Sequence, residues 1–104
     1  MASVGVAGRF TQTPSNSIAL VEDSVILKCS INSTPNSIIW VHDVVDISSA
    51  GCVSSSDSFQ TTNNNQSTDC FLIVQGNASD RLSGPYSCKD AGLYAQAVVI
   101  IIGT

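Results

Sequence analysis

Four cysteines, at positions 29, 52, 70 and 88, constrain this chain more than any other feature. At 104 residues the chain can close one hydrophobic core and is too short for two. Residues 10–104 therefore read as a single domain. Residues 1–9, MASVGVAGR, have neither the charged start nor the apolar centre of a secretory signal and read as an expression-derived or flexible leader. No two cysteines stand as C-x-x-C and the chain has a single histidine, so a zinc site would have to be all-cysteine with unusual spacing. No metal and no cofactor are expected. An even number of cysteines in a small chain with 31 Ser, Thr or Asn residues instead predicts two disulfides made in an oxidising compartment. Three N-x-S/T sequons, at Asn32, Asn65 and Asn77, agree with that address. Together they predict an extracellular domain, cell-surface or secreted.

Charge narrows the partners. Four Lys or Arg against eight Asp or Glu give a net charge of -4, with no basic stripe to neutralise phosphates, so nucleic acid is excluded as a ligand. The longest apolar run, Ala97 to Ile102, falls far short of the roughly 18–20 residues that span a bilayer. Any membrane attachment must come from segments outside this chain.

Hydrophobic patterning is that of strands. Nowhere do apolar residues recur at helical spacing over a long window, while short alternating runs lie between turn residues, so the fold class is all-β. In SVILKCSI, Val25, Leu27, Cys29 and Ile31 should face the core, with Ser24, Ile26, Lys28 and Ser30 outward. In SIIWVHD, Ile38, Trp40 and His42 share one face and Ile39 and Val41 the other. NSTPNS between them is a turn. Two short strands are expected near Val44 to Ile47 and Ser56 to Thr61, then an apolar strand in CFLIVQG, another in YSCKD and a last one in YAQAVVIIIGT. Gly84 and Pro85 mark the turn that leads into Tyr86 and Cys88, whose side chains share a face.

Cys29, Trp40 eleven residues on, and Tyr86-Ser87-Cys88 near the end resemble the immunoglobulin superfamily, over essentially the whole chain from about Phe10 to Thr104. That resemblance implies an immunoglobulin-like β-sandwich of two antiparallel sheets, variable-like, with a strand C′ and a short or absent C″. It also implies an inter-sheet disulfide between Cys29 and Cys88 under Trp40, with Leu27 in the same core, which leaves Cys52 to pair with Cys70. Tyr86 would bury its ring and bond its hydroxyl to backbone at the preceding corner. Two departures stand out. The acidic residue of the family's D-x-G-x-Y-x-C corner is Leu82 here, and the Arg-Phe that often pairs with it is Ser58-Phe59. The Gln and Pro-Gly that follow the core Trp in pairing domains are missing, since Val41, His42 and Asp43 follow Trp40. Atypical single domains of this kind resemble those of invertebrate or early-chordate immune-type receptors.

Function then rests on surfaces. His42 with Asp43 and Asp46 has no nucleophile to act on, and a reactive thiol at Cys52 or Cys70 would need an unpaired cysteine in an oxidising compartment, so no enzyme is expected. The last strand is apolar on both faces, Ala97, Val99 and Ile101 against Val98, Ile100 and Ile102, although only one face can enter the core. With Ile39 and Val41, which the resemblance places on the same sheet, Val98 and Ile100 form a candidate binding face for a protein ligand or a second copy of the chain. A candidate binding loop, KDAGLYAQ with Lys89, Asp90 and Tyr94, and the turn NSTPNS offer the alternative, a carbohydrate- or microbe-binding surface. A structural spacer in a multidomain chain is the remaining alternative.

Overall fold

The computed structural model describes residues 10–32, 36–54, 59–62, 66–75 and 82–102. The expected leader 1–9, the sequons at Asn65 and Asn77, and Ser56 to Ser58 of the strand expected from Ser56 to Thr61 lie outside the described residues. Strands run in the order β1 (Phe10–Gln12), β2 (Ser17–Leu20), β3 (Ser24–Leu27), β4 (Ser30–Ile31), β5 (Ile39–His42), β6 (Val45–Asp46), β7 (Ser48–Ser49), β8 (Val53–Ser54), β9 (Phe59–Thr61), β10 (Leu72–Gln75), β11 (Gly84–Asp90) and β12 (Leu93–Ile102). Two sheets carry the fold, β3-β10-β9 and β2-β12-β11-β5-β6, with β1-β4 and β7-β8 as short added pairs. In the strand lettering of the immunoglobulin fold, β3-β10-β9 corresponds to B-E-D and β2-β12-β11-β5-β6 to A-G-F-C-C′. No strand pairs beyond β6 among the described residues, so C″ is absent from the sheet there.

Period-two alternation decides what each strand buries. Val25 and Leu27, Leu72 and Val74, Tyr86 and Cys88, and Ala97, Val99 and Ile101 all point between the sheets and are buried, while their neighbours turn outward. Trp40 and Leu27 sit in the middle of this cluster. Cys29 bonds to Cys88 across the two sheets, with Cα atoms 6.5 Å apart, and Cys52 bonds to Cys70 at 5.7 Å. The Trp40 indole N–H, which burial would otherwise leave costly, donates to the Cys70 carbonyl at 3.0 Å. Buried Asn36 does a similar task for the chain before β5: its amide donates to the Ser67 and Asp69 carbonyls at 2.9 and 2.7 Å, and its oxygen accepts from the Ile38 amide.

Three expectations change. The sandwich is not wholly antiparallel, because β2 runs parallel to β12, Val99 opposite Ser17 through Ile102 opposite Leu20. Ser30 is buried rather than outward, because β4 leaves the β10 ladder to pair with β1 and the Ser30 hydroxyl is taken up by the Asp69 carboxylate at 2.7 Å. The expected binding loop around Lys89, Asp90 and Tyr94 is ladder almost to its tip. Ala91 and Gly92, at φ 50° and 86°, make a two-residue turn, so Lys89 and Asp90 end β11 and Tyr94 lies in β12 opposite Lys89. Asp90 is fully buried and accepts from the Ser37 hydroxyl, so it is not a contact residue.

The β5–β6 hairpin has the same two-residue form. Asp43 and Val44 lie at φ 54° and 58° between paired His42 and Val45. Asp tolerates that region, whereas a β-branched residue there costs on the order of 1–2 kcal/mol.

Candidate functional site

The candidate site is the outer face of the five-stranded sheet, and its layout follows from register. Residues that alternate with the buried set of β12 are Tyr94, Gln96, Val98, Ile100 and Ile102, all exposed. Across β11 these meet Lys89, Ser87 and Pro85, since Lys89 lies opposite Tyr94, Ser87 opposite Gln96 and Pro85 opposite Val98. Ile39 and Val41 of β5 then lie opposite Lys89 and Ser87, and Asp46 of β6 opposite Val41. On the other side, Ile18 and Leu20 of β2 lie opposite Ile100 and Ile102.

Two zones result. Towards β2 the face is an aliphatic band of Val98, Ile100, Ile102, Ile18 and Leu20, with Ile100 47% and Ile18 68% exposed. Towards β6 it hollows into a depression of about 400 Å³ floored by Val41, Ser87 and Pro85 and rimmed by Asp43, Val44, Lys89 and Tyr94. Lys89 reaches the Asp46 carboxylate at 3.6 Å, an exposed pair of little energetic weight. Ile39 and Val41 are half-buried, so they form the floor of the face and not its most prominent part.

Behind this face His42, Phe59 and Tyr86 form a ring cluster. The His42 and Tyr86 rings stack at 4.0 Å and 11°, with Phe59 edge-on to Tyr86 at 5.9 Å. The Tyr86 hydroxyl donates to the Leu82 carbonyl at 2.6 Å, and His42 Nδ1 lies 3.1 Å from the Pro85 carbonyl. Burial pushes the Tyr86 phenol well above its ordinary value of 10.0. Gly84, at φ 126°, takes a conformation that side-chain-bearing residues rarely adopt and brings the chain into β11 over the His42 ring. Stacked rings thus occupy the corner where the acidic residue is missing. The stack was not read from sequence, although alternation already put His42 on the Trp40 face.

The remaining expected site residues are placed as follows. Cys29, Cys88, Cys52 and Cys70 are bonded, Trp40, Tyr86 and Leu27 are buried, and Asn32 is exposed in a bend after β4. His42 packs in the ring stack and joins no catalytic group. Among the described residues no cluster of His, Cys, Asp or Glu could hold a metal. Sequence reasoning missed Val44, the most exposed of the large aliphatics at 95%. Nothing in the sequence distinguishes it from Val45; its exposure comes from the tight turn.

Solved structures share this architecture. A titin tandem superposes with a TM-score of 0.76 at 19% identity, over 91% of this chain and 33% of that one. A chain of the complex of Dpr11 IG1 bound to DIP-gamma IG+IG2 gives 0.75 at 15% identity, over 90% of this chain and 50% of that one. The Ig1 domain of mouse SynCAM 2 gives 0.70 at 14% over 88% and 94%. Identities this low establish the fold, and the chain spans only a third to a half of the first two structures' chains. No match is found among curated protein sequences. A family model described as the immunoglobulin I-set domain matches residues 8–97. The resemblance implies a variable-like domain; the family model that matches is the I-set one. A chain matched over that span, with the inter-sheet disulfide, the buried Trp40 and the Tyr86 corner in place, belongs to the immunoglobulin I-set family.

Proposed function

We propose that this domain is a non-catalytic recognition module that binds a protein partner through the outer face of its five-stranded sheet, in an extracellular setting. The carrying observation is the contiguous aliphatic surface across β2, β12 and β11, Ile18, Leu20, Val98, Ile100 and Ile102 flanked by Pro85, which water alone would leave unfavourably exposed. Two disulfides fit an oxidising compartment, and the Asn32 side chain is exposed, as a glycan acceptor must be. Partner binding by a neighbour of the same fold, Dpr11 with DIP-gamma, supports the reading. A loop-borne glycan site has less support, because the β11–β12 connection is only two residues.

The test is to display the domain as a multimer against a panel of secreted and cell-surface proteins, beside Ile100→Glu and Ile26→Glu. Ile26 is similarly exposed, on the opposite sheet, and serves as the control. A protein ligand lost with Ile100→Glu and kept with Ile26→Glu is expected. Ligands lost only with Ile26→Glu would place recognition on the other sheet.

A further inference from the structure

The geometry points to a second copy of this chain as the occupant of the depression beside β6, with Val44 as the residue that enters it; this deepens the reading above and rests on it. A knob and a hole lie side by side on one face. The knob is Val44, almost wholly exposed at the tip of the Asp43-Val44 turn and held there by a left-handed backbone that a β-branched residue ordinarily avoids. Glycine or asparagine would make the same turn without strain, and valine instead sets an aliphatic side chain at its tip. The hole is the depression of about 400 Å³ over Val41, Ser87 and Pro85, a mixed lining in which Val41 and Pro85 are the apolar part and whose volume exceeds that of a valine side chain.

Charges fall in the same self-complementary order. Asp43, next to the knob, has no ion-pair partner among the described residues, while Lys89, at the edge of the hole, holds only the long, exposed contact to Asp46. A two-fold axis between knob and hole seats each Val44 in the other copy's depression and brings each Asp43 towards the other copy's Lys89, as a closed isologous contact requires. The aliphatic band from Val98 to Ile18 continues from the depression and extends the apolar area available to such a pair. A copy of the same chain thus supplies both an aliphatic tip and the matching carboxylate.

Sedimentation of the full chain across a concentration series tests this with four variants. Wild type should form a dimer that dissociates on dilution. Val44→Gly and Val44→Asn, both suited to the turn, should weaken dimerisation at least tenfold. Val44→Gly should at the same time raise the melting temperature, by roughly 4–8 °C where its gain is of the size typical of one relieved residue. Asp43→Lys and Lys89→Asp should each weaken the dimer, and an equimolar mixture of the two should associate more tightly than either alone. Wild type that stays monomeric at every concentration overturns the inference. So does a Val44→Gly and Val44→Asn pair that dimerises like wild type, or a mixture no tighter than its parts. A monomeric wild type that still loses a foreign ligand with Ile100→Glu overturns this inference alone and leaves the recognition face standing.

Discussion

Tyr86 shows how much one residue is asked to do. Its ring fills the space between His42 and Phe59, its hydroxyl closes the corner at Leu82, and its burial disfavours the ionised form. The folded-state pKa is raised above the unfolded 10.0, so its contribution is fully present below pH 10 and is lost above it, as the unfolded chain releases the proton first. Above pH 10 the slope for this one group is about 1.4 kcal/mol per pH unit. Tyr86→Phe should cost about 1 kcal/mol near neutrality through the lost hydrogen bond and flatten that alkaline limb, which denaturant unfolding from pH 8 to 11 would show. An alkaline limb unchanged by the substitution would mean that another group controls it. Trp40 carries a larger share by volume: truncating so large a buried ring to alanine should cost roughly 3–5 kcal/mol, read as a fall in the denaturation midpoint.

At the level of elements, legibility in the sequence follows the strength of alternation. SVILKCSI, SIIWVHD, CFLIVQG and the last strand alternate apolar with polar or bury one face of an apolar run, and apart from Ser30 their buried residues in the structure follow that alternation. The segment between β5 and β10 has little such pattern, and there the chain is held by other means. A small β7–β8 hairpin carries Cys52 to Cys70, the Ser48 hydroxyl accepts from the Trp40 amide at 2.8 Å, and the Thr61 hydroxyl donates to the Cys52 carbonyl at 2.7 Å. Contacts of that kind depend on where a loop lands in three dimensions and leave no periodic trace. The same holds for the two-residue turns, which set whether Lys89, Asp90 and Tyr94 make a loop or a ladder and which expose Val44. Because the 18-residue loop closed by Cys52 and Cys70 has few apolar groups, replacing both with alanine should cost about 3 kcal/mol by loop entropy. Thermal unfolding of that double variant should show a single, lowered transition. A melting temperature within a degree of wild type would show that the hairpin holds its place without the bridge.

For the whole molecule, the sandwich divides its surface unequally. On the three-stranded sheet the exposed Ile26 lies opposite only the half-buried Ile73, whereas the five-stranded sheet presents five exposed aliphatics on β2 and β12 that run into a hollow at its far edge. Function is read from that asymmetry, because the fold itself hosts many. The most direct test is to follow backbone amide chemical shifts of the labelled domain from dilute to concentrated solution, and again with any ligand found by display. Changes should centre on Val41, Val44, Ser87, Gln96, Val98 and Ile100 and leave Ser24, Ile26 and Gln75 unmoved. Changes confined to β3, β10 and β9 would contradict the account and move recognition to the opposite sheet.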